Sequence, residues 1–172
     1  MLEYAERIAR AGSLGLAVLS ATAILAMPLI IGYSTISRYL IGEALSVSEE
    51  LSSFLLVVCV FLALPYAAMQ GKHVKFALIV GKLPPRPRRI LEIVTYTAAF
   101  IFMCVLTKLT YDFTMMGYML NSHSATAHIY EAPWRAAMPV SSAWLAFVLL
   151  VFAARSLHDL VTDAPVATGE AI

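Results

Sequence analysis

Charged residues are scarce in this sequence. Aspartate, glutamate, lysine and arginine make up 13% of the 172 residues, whereas 60% of the residues are hydrophobic. A typical soluble domain has a charged fraction of about 25%, roughly twice as large. The sequence therefore lacks the polar side chains that would cover a soluble core, and we expect its excess apolar surface to face lipid.

Motifs for catalysis and nucleotide binding are also missing. The sequence has no glycine-rich phosphate loop and no nucleophile elbow. Its two cysteines, Cys59 and Cys104, match no metal or redox spacing. The net charge of +1 argues against a nucleic-acid partner. We therefore expect no enzymatic activity and no bound metal or cofactor in this chain.

Long uncharged stretches predict an all-α integral membrane protein with four transmembrane helices. An α-helix rises 1.5 Å per residue, so about 20 apolar residues cross a hydrocarbon core of ~30 Å. The predicted spans are 12–36, 48–70, 89–110 and 136–155, within a single membrane domain that covers residues 1–172. The end of the third span stays open, because apolar residues continue toward Leu120. We find no internal repeat, which argues against a carrier built from inverted repeats.

Basic residues are concentrated between the second and third spans. Because lysine and arginine near span ends are retained in the cytoplasm, we expect both chain ends on the cytoplasmic side. The apolar stretch 73–82 is too short to cross the bilayer, so a short interfacial helix is expected there. A basic loop that only sets the topology is the alternative. The candidates for contacts with anionic lipid headgroups are Lys72, His73, Lys75, Lys82, Arg86, Arg88 and Arg89.

The other ionisable residues of interest lie near the expected outer edges of the spans. Lys108 and Asp112 are four residues apart, and we expect them to form an ion pair near the outer edge of the third span. Glu49 is expected to complete the N-terminal cap of the second helix. The cap leaves Glu50 available for a pair with Arg38 or with a partner chain.

Small residues recur at helical spacing in the first two spans. Ser13, Ala17 and Ala21 do so in the first span, and Ala63 and Ala67 in the second. Small faces let helices approach closely. The pattern does not decide between packing within the chain and packing on another protein. These five residues are therefore candidates for a subunit interface.

Short motifs follow one another along almost the whole chain. They are Ser37-Arg38-Tyr39, Ser48-Glu49-Glu50-Leu51, Gly71-Lys72-His73-Val74, Leu83-Pro84-Pro85-Arg86, Pro133-Trp134 and Met138-Pro139. Each is weak alone, but in this order the set resembles the small membrane subunit (DctQ-like) of tripartite ATP-independent periplasmic (TRAP) transporters. One departure is Ala77, since the family often has an aspartate soon after the histidine.

This resemblance implies a complex in the bacterial inner membrane. A soluble periplasmic protein would capture an organic acid, and a large membrane subunit would import it with a sodium gradient. The small subunit would be a non-catalytic scaffold, with sodium bound by the large subunit. By the same resemblance, we expect the contact with the large subunit on the first two helices and around Arg38, Glu49 and Glu50.

Two other functions stay open at this point. A haem- or quinone-binding anchor of a redox enzyme would hold histidines inside the bundle, on facing helices. The four histidines, His73, His123, His128 and His158, instead lie in predicted loops or at span ends. A small self-assembling carrier is the third option, and it would transport without a larger subunit.

Overall fold

The described part of the chain is almost entirely α-helical. The computed structural model describes residues 2–40, 46–70, 85–124 and 127–161. Its helices are α1 (Leu2–Leu40), α2 (Ser46–Met69), α3 (Pro85–Met119), α4 (Ala132–Arg135) and α5 (Ala137–Val161). Within these ranges, strand-like pairing is limited to one isolated bridge, between His123 and Tyr130.

Within the described ranges, four helical segments are long and apolar enough to cross a membrane. They are α1, α2, α3 and the continuous segment that α4 and α5 form through Ala136, whose backbone is helical. The four predicted helices are thus confirmed. The predicted interfacial helix at 73–82 lies outside the described residues.

Two helices are longer than the predicted spans. α1 continues through Pro28 to Leu40. α3 begins at Pro85, where proline is well suited because the first N–H groups of a helix have no partner within it. It ends at Met119, past the predicted boundary at residue 110.

The end of α3 is a Schellman cap. Asn121 adopts a left-handed backbone conformation with φ of 48°, which asparagine tolerates better than most residues. Its N–H donates to the carbonyl of Tyr118 at 3.2 Å, and the N–H of Ser122 donates to the carbonyl of Gly117 at 2.9 Å. These bonds satisfy the last carbonyls of the helix and turn the chain into the loop that follows.

The α5 helix is the centre of the packing. It contacts α3 extensively and also packs on α2, while α1 packs mainly on α2 and less on α5. Leu145, Val148 and Leu149 of α5 form the core with Ala9 and Ala68. By contrast, the most apolar 18-residue stretch of α3 has no buried residue. α1 and α3 therefore lie at the two flanks of the described structure.

A close approach joins α1 to α5. The indole Nε1 of Trp144 donates to the hydroxyl of Ser13 at 3.1 Å, and Ser13 is fully buried. Directly beside it, a Cβ built on Gly12 would clash with a ring carbon of Trp144. Only glycine leaves room for the indole at this position.

Serine hydroxyls connect the helices around Pro65. Proline has no N–H, so in α2 it leaves the carbonyl of Phe61, four residues earlier, without its helical donor. Ser141 of α5 donates to this carbonyl. Ser20 of α1 donates to the neighbouring carbonyl of Cys59 at 2.7 Å. Ser141 of a neighbouring helix thus supplies the donor that Pro65 removes from the backbone of α2, as membrane helices with proline require.

The two ends of the bundle are marked by different ion pairs. Arg155 Nη1 donates to both carboxylate oxygens of Glu6, at 2.5 and 2.6 Å, so the start of α1 and the end of α5 lie at one end. We call this the terminal end. At the opposite, distal end, Arg38 of α1 pairs with Glu49 of α2 at 3.2 Å.

Candidate functional site

The acidic residues at the start of α2 organise the distal end. Glu49 pairs with Arg38, whereas the Oε2 atom of Glu50 accepts hydrogen bonds from the Ser124 hydroxyl and from the Ala127 N–H, the latter at 2.9 Å. The sequence left Arg38 and a partner chain open as partners of Glu50, and in the structure Arg38 pairs with Glu49 instead. Successive helical residues point about 100° apart, so adjacent glutamates reach different neighbours.

Glu50 holds the loop between α3 and α4, which we call the distal loop (residues 120–131). Within this loop, the Ser124 N–H donates to Ile129 and the Glu131 N–H donates to Ser122, at 2.9 and 3.1 Å. His128 has a φ of 52°, an uncommon conformation for a residue other than glycine. Among its described residues, the loop is attached to α2 through the carboxylate of Glu50.

Replacing Glu50 with alanine is expected to loosen the distal loop. Hydrogen bonds to a charged group contribute about 1.5–3 kcal/mol each, so amide exchange in the loop should accelerate at least about tenfold. Hydrogen–deuterium exchange of the detergent-purified chain, read at Ser124 and Ala127, measures this effect. Glu49→Ala is the matched control and should leave both amides unchanged. Equal acceleration by the two variants would contradict the assignment.

A second cluster closes the corner between α3, α4 and α5. Arg135 pairs with Glu131, and its guanidinium carbon lies 4.4 Å from the ring centroid of Phe113, a cation–π contact. The Thr114 hydroxyl donates to the Arg135 carbonyl at 3.2 Å. Sequence reasoning treated Arg135 only as the edge of a span. The four-residue spacing to Glu131 was the available signal, but Pro133 between them indicated a loop rather than a helical pair.

Some residues of the predicted small-residue face are buried within the chain, and others are exposed at its surface. Ser13 is buried beneath Trp144, Ala17 and Ala63 are half-buried, and Ala21 and Ala67 are exposed. Residues spaced by four advance by about 40° around the helix at each step, so the set rotates away from the core. Ser13 packs within the chain, and only the exposed members stay candidates for a subunit interface.

Lys108 and Asp112 are both exposed on α3, and no ion pair joins them in the part of the chain that the structure describes. The expected pair is therefore not formed. An acidic residue that follows a lysine by four positions is the less favourable order, and a short aspartate reaches less far. At the surface of α3, each side chain is free to extend toward polar surroundings.

The predicted headgroup contacts stay predictions. Lys72, His73, Lys75 and Lys82 lie outside the described residues. Arg86, Arg88 and Arg89 belong to the first turns of α3, but their side chains also lie outside the description.

The side chains of the described residues form apolar surfaces that are suited to packing. α1 has no charged residue between Arg10 and Arg38, and α5 has none between Arg135 and its own Arg155. Among the residues that the structure describes, no group of three or more His, Cys, Asp or Glu side chains is placed to hold a metal ion. Large apolar side chains instead cover the outward faces of α1 and α3.

A comparison with known protein families gives a match over most of the chain. The family model described as "Tripartite ATP-independent periplasmic transporters, DctQ component" matches residues 27–159, from within α1 to near the end of α5. The chain belongs to the DctQ family. It is a multi-pass protein of the bacterial inner membrane.

Two relatives are TRAP transporter small permeases. The "putative TRAP transporter small permease protein" of Haemophilus influenzae is 30% identical over 69 residues, which cover 40% of this chain and 43% of the relative. The "ectoine TRAP transporter small permease protein TeaB" of Halomonas elongata is 34% identical over 61 residues, 36% of this chain and 32% of the relative. The match therefore spans less than half the length of each relative.

Proposed function

We propose that this DctQ chain is the non-catalytic scaffold subunit of a sodium-coupled importer of organic acids. In this proposal, a periplasmic binding protein delivers the carboxylate and a large membrane subunit carries it across the bilayer. Family membership supports a role as part of a transporter. It does not favour the alternative of a haem- or quinone-binding anchor.

The scaffold role is supported by the difference in charge between the interiors of the spans and their ends. The charge-free interiors of α1, α2 and α5 are joined by neutral bonds from Ser20, Ser141 and Trp144, which suit a fixed unit. Ionisable residues inside a membrane usually mark ion or substrate pathways. Because carboxylates are absent from these interiors, we propose that sodium and substrate bind to the large subunit.

We further propose that the terminal end faces the cytoplasm. This orientation places the basic residues between α2 and α3 on the cytoplasmic side, where lysine and arginine are retained. The stretch 73–82 would then lie on the inner membrane surface as an interfacial helix, beside anionic headgroups. The distal loop would face the periplasm, on the side of the binding protein.

Reconstitution into liposomes tests the scaffold role. With an imposed sodium gradient, the chain alone is expected to give no uptake of radiolabelled organic acids, because the charge-free interiors of α1, α2 and α5 provide no carboxylate to bind the ion. The chain together with the large membrane subunit and the binding protein of its system is expected to give uptake that collapses with the gradient. The large subunit without the chain is the control and should be less active. Uptake by the chain alone would contradict the proposal.

A further inference from the structure

A groove opens between α1 and α5 where the two helices diverge. Its volume is about 480 Å³, within the range of about 300–1,000 Å³ that is typical of ligand pockets. Residues of α1 line one wall, residues of α5 line the other, and α2 forms the floor. We call this space the α1–α5 groove, and its lining residues are Leu16, Leu19, Val58, Leu62, Pro133, Trp134, Ala136, Ala137 and Val140.

Hydrogen bonds to α2 fix both walls of the α1–α5 groove. Ser20 of α1 donates to the carbonyl of Cys59, and Ser141 of α5 donates to the carbonyl of Phe61. Each wall is thus attached to the floor separately from the other wall. The small side chain of Ala137 leaves space between them. The groove is therefore a built feature of the helix packing.

The α1–α5 groove is closed toward the terminal end and open at the surface of the bundle. One turn of α5 beyond Val140, the contact between Gly12 and Trp144 brings the two helices together. Leu19 and Val140, on opposite walls, are 58% and 57% exposed. The groove therefore opens outward between α1 and α5.

The α1–α5 groove lies at the depth of the lipid chains. The charge-free run of α5 from Arg135 to Arg155 covers 20 residues, or ~30 Å along the helix, which matches the hydrocarbon core. Val140 lies five residues inside this run, about 8 Å from its distal end. The lining residues that the structure describes are all uncharged. An apolar recess at this depth is filled by hydrocarbon rather than by water.

Trp134 provides a polar group at the distal end of the α1–α5 groove. Its ring stacks on Phe54 with centroids 6.0 Å apart, which fixes the indole. Among the described residues, none accepts a hydrogen bond from the indole N–H. Tryptophan commonly lies where the hydrocarbon meets the headgroups, and here it is adjacent to Arg135. Its N–H is thus available to an ester or phosphate oxygen of a lipid.

The size of the α1–α5 groove favours a lipid chain over a helix of another protein. From the level of Trp134 to that of Val140, the groove extends over six residues of helix, or ~9 Å. A helix with side chains is about 10–12 Å wide, so a segment of this length occupies roughly 700 Å³ or more. This exceeds the volume of about 480 Å³. An extended acyl chain is only one methylene group wide and enters without displacing either wall.

We infer that the α1–α5 groove binds one acyl chain of a phospholipid from the leaflet at the distal end. The Trp134 indole N–H donates to an ester or phosphate oxygen of the same lipid. The lipid fills the space between α1 and α5 and belongs to the structure of the chain in the membrane. This inference depends on the membrane spans and not on the proposed function.

Two alanines of α5 allow a matched test by native mass spectrometry. The chain purified in mild detergent is expected to retain one phospholipid. Ala137 lines the groove, whereas Ala143 is exposed and is not among the lining residues. Ala137→Leu places extra methyl groups in the space of the acyl chain and should lower retention about tenfold. Ala143→Leu should leave retention unchanged, and equal retention by the two variants would overturn the inference.

Trp134→Phe tests the polar contact separately. Phenylalanine keeps the stacking on Phe54 but has no N–H to donate. Retention of the phospholipid should fall about threefold, as expected for the loss of one neutral hydrogen bond. Unchanged retention would refute the assigned role of Trp134.

Photo-crosslinking of the unaltered chain makes the test independent of how well the variants fold. A phospholipid with a diazirine in its acyl chain is added at one molecule per chain. It should label α2 near Leu62, which lines the groove and is only 6% exposed. Labelling confined to the outward faces of α1 and α3 would contradict the inference.

A diazirine side chain at Leu19 tests the occupant when the chain is co-expressed with the large membrane subunit. Leu19 lies on the α1 wall at the opening of the groove. An adduct with phospholipid is expected. An adduct with the large subunit in place of lipid would overturn the inference, because the groove would then be covered by protein.

Discussion

Replacing Gly12 with alanine is expected to destabilise the chain strongly. The added methyl group would clash with a ring carbon of Trp144, so α1 and α5 must separate or the indole must leave its site. Either movement strains the 3.1 Å bond between Trp144 and Ser13. Overpacking of this kind costs about 1–3 kcal/mol, and we expect a value near the upper end. In detergent, the midpoint of thermal unfolding should fall by about 5 °C or more.

Gly15 supplies the control for this prediction. It lies three residues further along α1, and a Cβ there would have no neighbour within 4 Å. Gly15→Ala should leave stability unchanged or raise it by up to about 1 kcal/mol, because alanine favours the helix. If the clash is the cause, Gly12→Ala should add little to the loss already produced by Trp144→Leu. Equal losses from the two glycine variants would disprove the packing argument.

Arg135→Leu is expected to have the second large effect. Arg135 and Glu131 form an ion pair whose side chains are only 24% and 17% exposed. Removing the cation leaves a largely buried carboxylate without its partner and also removes the contact with Phe113. Breaking a buried pair in this way costs about 3–5 kcal/mol. Because the pair is not fully buried, we expect a loss near the lower end, measured by thermal unfolding in detergent.

The pair between Arg38 and Glu49 is the natural comparison. Its side chains are 52% and 75% exposed, so Arg38→Leu should cost no more than about 1 kcal/mol. The double variant Arg135→Leu with Glu131→Leu should recover much of the stability, because no charge is then left buried. Similar losses from Arg135→Leu and Arg38→Leu would show that burial does not govern the two pairs.

The candidate site was only partly predictable. Sequence reasoning selected Arg38, Glu49 and Glu50, and the structure places all three at the distal end. The partners of these residues could not be assigned from the sequence. Glu50 accepts a hydrogen bond from Ser124, which is 74 residues away and lies in a loop without a strong sequence pattern. The cluster around Arg135 was missed for a related reason. The helical turn that brings Glu131 beside it contains a proline, which normally indicates a loop.

The sequence alone is enough to predict the number of spans and the apolar character of their interiors. These properties are local, because each depends only on an uncharged run long enough to cross the hydrocarbon core. The three-dimensional packing was needed to show that α5 is central, that α1 and α3 lie at the flanks and that Ser13 faces inward while Ala21 faces outward. In a membrane, lipid is as apolar as a neighbouring helix, so hydrophobicity does not mark the buried face. That choice depends on steric fit, as between Gly12 and Trp144, and on hydrogen bonds between distant residues.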